Sequence, residues 1–185
     1  PALATHYVVE AMKHAFADRA RWLGDPGYAP VPTELLVSKV YGRTLAESLD
    51  ERTTWDSDTY GALQIPDDAG TSHFSIVDRW GNCVVSTETV NTFFGSLSAV
   101  DEWGLILNNE MDDFSAVRGS VDAFGLVQSE RNAVAPGKRP LSSMTPTMVI
   151  EDGEPVLLLG GSGGPRIISS VLNVLINVLD YDMPL

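Results

Sequence analysis

The sequence predicts an α+β fold in which helices cover an antiparallel sheet. Apolar residues recur at near-helical spacing over roughly the first two dozen residues. Apolar and polar residues alternate in hairpin-like segments after residue 70, and a mostly apolar segment follows a run of glycines near residue 160. Helices first, strands next and an apolar helix last are typical of layered α+β domains.

The first part of the chain is predicted to be helical. Residues 2–23 carry an apolar stripe, and Gly24 is a natural stop for this helix. Thr33 is expected to cap a second helix that breaks at Gly42, and a third, short helix is predicted over residues 44–49. The stretch 50–69 is polar, acidic and aperiodic, and we interpret it as a linker. The alternative is an ordinary surface loop, although loops this long are uncommon unless functional or mobile.

The second part is predicted to hold strands and one helix. Two hairpins are expected, one on each side of a short strand, because turn residues separate runs of β-forming residues. The final helix should open after Gly163-Gly164, with Pro165 in its first turn, and end near Asp180. The predicted strands span residues 74–77, 83–90, 105–107, 148–150 and 156–159.

The composition argues against several function classes. A formal net charge of −13 disfavours binding to nucleic acid or to an anionic membrane surface, because phosphates require clustered Lys and Arg. No apolar run reaches the roughly 18 residues that a membrane-spanning helix needs. The single cysteine, Cys83, has no internal disulfide partner and is expected to pack in a strand. His6, His14 and His73 show no ligand pattern, so no metal site is expected.

The junction Gly70-Thr71 lies where the acidic stretch ends and the first strand begins. A threonine with a free α-amine carries a nucleophile and a base on one residue, since the amine has a reference pKa of about 7.7–8.0. The same hydroxyl can first attack the carbonyl of Gly70 and release the new N-terminus by hydrolysis of the resulting ester. Glycine tolerates the strained backbone that this attack requires. Alternatively, the pair is only the start of a strand.

Two polar stretches in the strand region could carry chemistry. Alternation over residues 86–91 places Thr87 and Thr89 on one face, although threonine is also common in strands. The cluster 108–114 crowds amides and carboxylates at the end of a short strand, where they could hold an ammonium group. A surface turn is the alternative; a calcium loop is also possible, but the EF-hand spacing is absent.

Two loops could bind anions. In the stretch 138–146, prolines bracket Ser142 and Ser143, so hydroxyls and backbone N–H groups would be fixed for a carboxylate; a structural turn is the alternative. The run 160–164 contains four glycines before a predicted helix. Converging N–H groups there could form an oxyanion hole or a phosphate cradle, or the run could be a flexible turn. It matches neither a Walker loop nor a dinucleotide-binding motif.

In combination and in order, these stretches resemble the gamma-glutamyltranspeptidase family of N-terminal-nucleophile hydrolases. The resemblance implies a layered αββα sandwich, here partial and truncated at both ends. It also implies a division at self-cleavage, with residues 1–70 ending the large subunit and residues 71–185 beginning the small, catalytic subunit. The matching blocks are Thr71-Ser72-His73, Asn91, residues 109–115, residues 138–144 and Gly163-Gly164.

The resemblance implies a role for each catalytic residue. Self-cleavage would separate Gly70 from Thr71, and Thr71 would then be the nucleophile at the N-terminus of the small subunit. Thr89 would hydrogen-bond to Thr71 and help to activate it. The backbone N–H groups of Gly163 and Gly164 would form the oxyanion hole.

Other residues would hold the amino-acid end of the substrate. The resemblance implies that Asn91, Glu110 and Asp113 bind the α-amino group of a gamma-glutamyl compound. Ser142 and Ser143 would bind its α-carboxylate. These polar clusters of opposite character suit a zwitterionic head group.

The implied reaction is acyl transfer. Thr71 would take the gamma-glutamyl group from glutathione or a related compound and pass it to water, an amino acid or a peptide. The mechanism implies no metal and no organic cofactor. Implied partners are gamma-glutamyl small molecules and the remainder of the protein's own large and small subunits. Family members are usually exported, so the resemblance suggests a periplasmic or extracellular location.

The sequence also departs from the family pattern. An arginine that pairs with the substrate carboxylate would lie upstream of Pro1, and the small subunit would continue beyond Leu185, so the chain is expected to be a piece of a longer precursor. Residues 117–127 stand where some bacterial members have a lid, and Phe124 replaces a tyrosine there. Two alternatives remain at this point: an acylase or poly-glutamate transpeptidase of the same fold, and an uncleaved, non-catalytic homologue that serves as a binding module.

Overall fold

The computed structural model describes residues 2–55, 71–117, 121–122 and 124–185, which form two compact units. The described part of the first unit comprises residues 2–55, 111–117, 121–122 and 124–141. The second comprises residues 71–110 and 142–185. Gly70 and most of the predicted linker lie outside the described residues, and the division of the chain at residue 70 stays a prediction.

Helix α1 spans Ala2–Trp22, as predicted. Two of its buried residues are charged: Glu10 is 2% exposed and Arg19 is 8% exposed. Glu10 is satisfied by hydrogen bonds from Lys13 Nζ and Thr54 Oγ1, both at 2.7 Å. Burial lowers the pKa of Arg19, and the carboxylates of Asp122 and Asp113 act in the opposite direction. These contacts attach the start of the acidic stretch to α1 and give the first unit a partly polar interior.

The predicted helix break at Gly42 is wrong. Helix α2 is a single turn, Thr33–Leu36, and helix α3 spans Lys39–Ser48 and runs through Gly42. The break comes at Ser38, whose Oγ accepts the Tyr41 N–H at 3.1 Å and caps α3. A capping hydroxyl satisfies an otherwise unpaired helical N–H group, whereas one glycine inside a helix costs only about 1 kcal/mol.

An ion pair fixes the loop that follows α1. The carboxylate of Asp25, which is 6% exposed, accepts hydrogen bonds from the Arg139 backbone N–H at 3.0 Å, Nε at 3.2 Å and Nη2 at 2.9 Å. It also accepts the Gly27 N–H at 3.0 Å. The bonds from Arg139 hold the pKa of Asp25 well below its ordinary value. This clamp joins two segments of the first unit that are far apart in sequence.

The second unit opens with the predicted first hairpin. Strand β1 spans Thr71–Val77 and pairs antiparallel with strand β2, Cys83–Thr89. In the connecting turn, Asp78 Oδ1 accepts the Trp80 N–H at 2.8 Å and the Asn82 N–H at 2.9 Å. Gly81 adopts φ 86°, a left-handed conformation that favours glycine. The turn chemistry therefore fixes which residues of β1 and β2 face each other.

The remaining strands form two more ladders. Strand β4, Leu105–Ile106, confirms the predicted short strand and pairs with β3, Ala99–Val100, which sequence analysis missed. Strands β5, Thr147–Glu151, and β6, Glu154–Leu159, form the second predicted hairpin. Its two-residue turn, Asp152-Gly153, has φ values of 51° and 89°, as hairpin turns of the primed type require. Within the described ranges, the strands form three two-stranded ladders.

Helix α4 spans Arg166–Leu179 and follows the glycine run, as predicted. Its buried residues are Ile167, 1% exposed, and Val171, 6% exposed, while Leu157 on β6 is 5% exposed. Among the described helices, none is long and apolar enough to cross a membrane. The mixture of helices and antiparallel strands confirms the predicted α+β class.

The Asp25 clamp leads to a pH prediction. The folded pKa lies below the unfolded value of about 3.9, so the clamp stabilises the fold above that pH and loses this effect as the pH falls below it. We expect Asp25→Asn to lower the free energy of unfolding at pH 7, and the difference from wild type to shrink at pH 3. Urea unfolding followed by circular dichroism measures both values.

The exposed turn residue Asp152 offers a matched control, since Asp152→Asn removes a carboxylate outside the clamp. A difference between wild type and Asp25→Asn that stays constant from pH 7 to pH 3 would contradict the prediction.

Candidate active site

Thr71 and Thr89 face each other across the first hairpin. The register of β1 and β2 pairs Thr71 with Thr89 and His73 with Thr87. Because side chains alternate along a strand, these four side chains share one face of the hairpin. Thr71 Oγ1 donates a hydrogen bond to Thr89 Oγ1 at 3.2 Å. The predicted contact between the two threonines is present.

Asn91 extends this pair into a hydrogen-bonded chain. Its backbone N–H donates to Thr89 Oγ1 at 2.9 Å. The side chain, with the residue 3% exposed, donates through Nδ2 to the Asn109 carbonyl at 3.0 Å. Asn91 has φ 73°, and asparagine is one of the few residues that adopt this conformation readily. The bend after β2 therefore holds Thr89 Oγ1 and also reaches the cluster 108–114.

Glu110 presents an unsatisfied acceptor. Its backbone N–H donates to Asn108 Oδ1 at 3.0 Å. Its Oε1 atom is buried and has no hydrogen-bond partner among the described residues. A buried carboxylate oxygen without a donor is unfavourable unless a ligand supplies one. An ammonium group would supply both the donor and the opposite charge.

The glycine run adopts the backbone that a turn into a helix requires. Gly163 has φ 136° and Gly164 has φ 53°, and both are buried. Their carbonyls accept the N–H groups of Arg166 at 3.0 Å and Ile167 at 3.1 Å, which begins α4. A helix N-terminus carries a partial positive charge, so this turn is suited to an oxyanion.

His73 packs against the first residue of the same glycine run, a contact that sequence analysis did not predict. A Cβ atom on Gly160 would lie 2.0 Å from His73 Nδ1. The ring is held by hydrogen bonds between Nδ1 and Thr87 Oγ1 at 2.8 Å and between Nε2 and Ser75 Oγ at 3.2 Å. Position 73 follows Thr71 by two residues on the same face, and this alternation is the one signal that could have indicated it.

The predicted carboxylate ligands lie in the loop before β5. Ser142 is exposed, and its Oγ accepts the Met144 N–H at 3.0 Å. Ser143 is half-buried and follows it directly. Both serines belong to the second unit, as do Thr71, Thr89, Asn91, Glu110, Gly163 and Gly164.

Asp113 belongs to the first unit. Its carbonyl accepts hydrogen bonds from Asn132 Nδ2 at 2.6 Å and Gln128 Nε2 at 3.2 Å. In the stretch 117–127, the N–H of Phe124 donates to Asp122 Oδ1 at 2.9 Å, while residues 118–120 and 123 lie outside the described residues. Burial raises the pKa of the Asp122 carboxyl. In the described ranges, no group of three or more His, Cys, Asp or Glu side chains is arranged to hold a metal ion.

A family model described as gamma-glutamyltranspeptidase matches residues 2–185. A glutathione hydrolase proenzyme of Escherichia coli (strain K12) is 43% identical over 182 residues, which cover 97% of this chain and 31% of that protein. The chain thus spans about a third of the length of the curated relatives it matches.

Solved structures give a similar result. A gamma-glutamyltranspeptidase from Pseudomonas nitroreducens complexed with L-DON has 53% identity and a TM-score of 0.59, and covers 60% of this chain and 58% of its own. A cephalosporin acylase from Bacillus halodurans has a TM-score of 0.77 at 24% identity, with 99% of this chain and 31% of its own covered. The second likeness concerns the fold alone, and it agrees with the predicted fold class.

The contact between Gly160 and His73 is testable. We expect Gly160→Ala to lower the free energy of unfolding by about 1–3 kcal/mol, the usual range for overpacking, because the new methyl group would overlap the imidazole ring. Adding His73→Ala should recover part of this loss. Denaturant unfolding of the single and double variants measures the coupling.

Gly161→Ala is the matched control, since a Cβ atom there has nothing within 4 Å. Equal free energies of unfolding for Gly160→Ala and Gly161→Ala would show that the contact between Gly160 and His73 does not limit the size of residue 160.

Proposed function

The chain belongs to the gamma-glutamyltranspeptidase family, and from this premise we propose that it supplies the nucleophile and the head-group ligands of an enzyme that transfers gamma-glutamyl groups. The observation that carries the proposal is the hydrogen-bonded chain from Thr71 through Thr89 to Asn91. In this chain, the Thr89 hydroxyl orients the Thr71 hydroxyl at the start of β1. The oxygen of Thr89 is itself held by the backbone N–H of Asn91. Such positioning is what a nucleophilic threonine requires.

Self-cleavage comes first in the proposed mechanism. Thr71 Oγ1 attacks the carbonyl carbon of Gly70, the C–N bond breaks, and an ester to Thr71 forms while its nitrogen gains a proton. Water then hydrolyses the ester, which leaves a carboxylate on Gly70 and a free amine and hydroxyl on Thr71. Thr89 orients the attacking oxygen through the 3.2 Å contact.

Acyl transfer uses the residue that cleavage has freed. The α-amine of Thr71 takes the proton from Oγ1, which attacks the γ-carbonyl of the substrate. The N–H groups of Gly163 and Gly164 stabilise the negative oxygen of the tetrahedral intermediate. As the intermediate collapses, the leaving amine receives the proton, and the γ-glutamyl group remains as an ester on Thr71. Water, an amino acid or a peptide then takes up this group and regenerates the hydroxyl.

The head group of the substrate is held by the two polar clusters. Asn91, Glu110 and Asp113 bind the α-ammonium group, and the buried Oε1 of Glu110 supports this assignment because it lacks a donor among the described residues. Ser142 and Ser143 bind the α-carboxylate. The relatives named glutathione hydrolase and gamma-glutamyltranspeptidase support glutathione and related γ-glutamyl compounds as substrates.

The two alternatives have less support. An acylase for plain acyl chains would have no use for a buried carboxylate at Glu110 or for paired serines. An uncleaved binding module would not need a nucleophile together with an oxyanion turn. The remainder of the protein's own large and small subunits is the expected partner, and a periplasmic or extracellular location remains part of the proposal by resemblance to the family.

Removal of the nucleophile tests the proposal directly. We expect Thr71→Ala in the complete protein to remain a single chain and to lose turnover of a γ-glutamyl anilide, because neither the cleaving oxygen nor the acyl acceptor is present. Intact mass spectrometry after incubation at neutral pH measures cleavage, and release of the anilide measures turnover.

Ser72→Ala is the control, because Ser72 is exposed and lies on the opposite face of β1. It should be cleaved and active. An uncleaved wild-type protein, or a cleaved Thr71→Ala variant, would contradict the assignment of Thr71 as the nucleophile.

Thr89 offers a graded test. We expect Thr89→Val, which keeps the shape and loses the hydroxyl, to lower kcat by roughly tenfold or more, about 1.4 kcal/mol in activation free energy, because Thr71 Oγ1 loses its partner. Steady-state turnover of the γ-glutamyl anilide gives kcat and KM. Ser86→Ala, on the other face of the same strand, should leave kcat unchanged. Equal kcat values for both variants would exclude a role for Thr89.

A further inference from the structure

Asn132 connects two backbone segments of the first unit. It is 0% exposed and ends the short 3-10 turn Glu130–Asn132. Its Nδ2 donates to the Asp113 carbonyl at 2.6 Å, and its Oδ1 accepts the Leu141 N–H at 3.0 Å. One planar side chain therefore fixes the distance between two points that are far apart in sequence.

Both points adjoin residues assigned to the substrate head group. Asp113 is an ammonium ligand in the proposed function, and Ser142, a carboxylate ligand, follows Leu141 directly in the chain. We propose that Asn132 is a positioning residue for binding of the γ-glutamyl head group, because it sets the distance between the backbone of Asp113 and that of Leu141, the residue before Ser142. This inference rests on the proposed function.

The hydrogen-bond pattern requires an amide at this position. A carbonyl must be met by a donor and an N–H group by an acceptor, so Nδ2 has to face Asp113 and Oδ1 has to face Leu141. A carboxylate has no donor and an ammonium has no acceptor, so neither charged group could make both bonds. An apolar residue of similar volume would leave a buried carbonyl and a buried N–H unpaired.

Gln128 completes the support on the Asp113 side. Its Nε2 donates to the Asp113 carbonyl at 3.2 Å and to Asp122 Oδ2 at 2.9 Å, while its Oε1 accepts a short hydrogen bond from Asn132 Nδ2. Gln128 is 7% exposed, so the network is shielded from water. In such an environment a satisfied polar network rigidifies the backbone it contacts.

The other segment has a second anchor that does not involve Asn132. Arg139, two residues before Leu141, is clamped to Asp25 by one backbone and two side-chain hydrogen bonds. Loss of the Asn132 side chain should therefore leave Leu141 in the same region of the unit and release only its fixed distance from Asp113. We therefore expect the variant to fold, with a less tightly fixed distance between Asp113 and Leu141.

The test varies the substrate and the residue together in the complete protein. The variant Asn132→Leu is compared with wild type on three anilides: the γ-glutamyl compound, the glutaryl compound that lacks the α-amine, and the 4-aminobutyryl compound that lacks the α-carboxylate. For the γ-glutamyl compound we expect kcat/KM to fall about 10- to 100-fold, mainly through KM. The two truncated compounds should change little, because each uses only one of the two segments and does not depend on their spacing.

Ser129→Ala is the matched control. Ser129 Oγ caps the same 3-10 turn by accepting the Arg131 N–H at 3.3 Å, and no hydrogen bond joins its side chain to Asp113 or Leu141 among the described residues. It should leave the ranking of the three compounds as in wild type. An equal loss on all three compounds with Asn132→Leu, or no loss on any, would overturn the inference while the proposed function stands.

If wild type fails to turn over the γ-glutamyl compound, the proposed function falls and the inference falls with it. If Asn132→Leu does not fold by circular dichroism, Gln128→Met provides the second variant, because it removes the amide that donates to the Asp113 carbonyl and accepts from Asn132. It should reduce kcat/KM for the γ-glutamyl compound more than for either truncated compound, because it loosens the fixed distance between Asp113 and Leu141. An equal effect on all three would again overturn the inference.

Discussion

The second unit depends on the pairing of Thr71 with Thr89 across the first hairpin. A slip of one residue would move every side chain of β1 to the other face and separate the two hydroxyls. The alternation of residues alone fixes this register weakly, because β1 and β2 expose many of their side chains. The turn fixes it instead: Asp78 accepts two backbone N–H groups, and Asn82 Nδ2 donates to Asp78 Oδ2 at 2.8 Å. A short-range turn thus determines where the proposed nucleophile points.

From this pair the site extends through backbone geometry more than through side-chain packing. Asn91 turns the chain at a positive φ, and Asn109 donates its N–H to the Val90 carbonyl at 3.0 Å. The result brings the strand end and Asn109 together, and Glu110 Oε1 is buried without a donor among the described residues. Such an arrangement is unfavourable for folding and favourable for binding a cation. In the proposed function, it is the physical reason for a substrate with a free ammonium group.

The first unit contributes rigidity to segments that adjoin the proposed ligands. Asp25 holds the backbone and side chain of Arg139, and Asn132 holds the backbone of Asp113 and Leu141. These are buried polar groups whose hydrogen bonds are directional, so they set distances that apolar packing would leave loose. In the proposed function the substrate head group is a zwitterion, and its recognition needs an ammonium ligand and a carboxylate ligand at a set separation. That requirement gives a reason to have polar clamps rather than apolar residues at these positions.

The sequence by itself determined the helix α1, both hairpins, helix α4 and the set of residues assigned to the site. These depend on local periodicity, on turn residues such as Asp152-Gly153 and on blocks of residues that resemble a family. Tertiary structure alone decided the rest: the helix break at Ser38, the short strand β3, the contact of His73 with Gly160, and the partners of Asp25 and Asn132. Each of these is settled by a competition between local preferences or by a contact or hydrogen bond between residues distant in the chain. Local sequence patterns record which side chains can make such bonds, and folding decides which partners they meet.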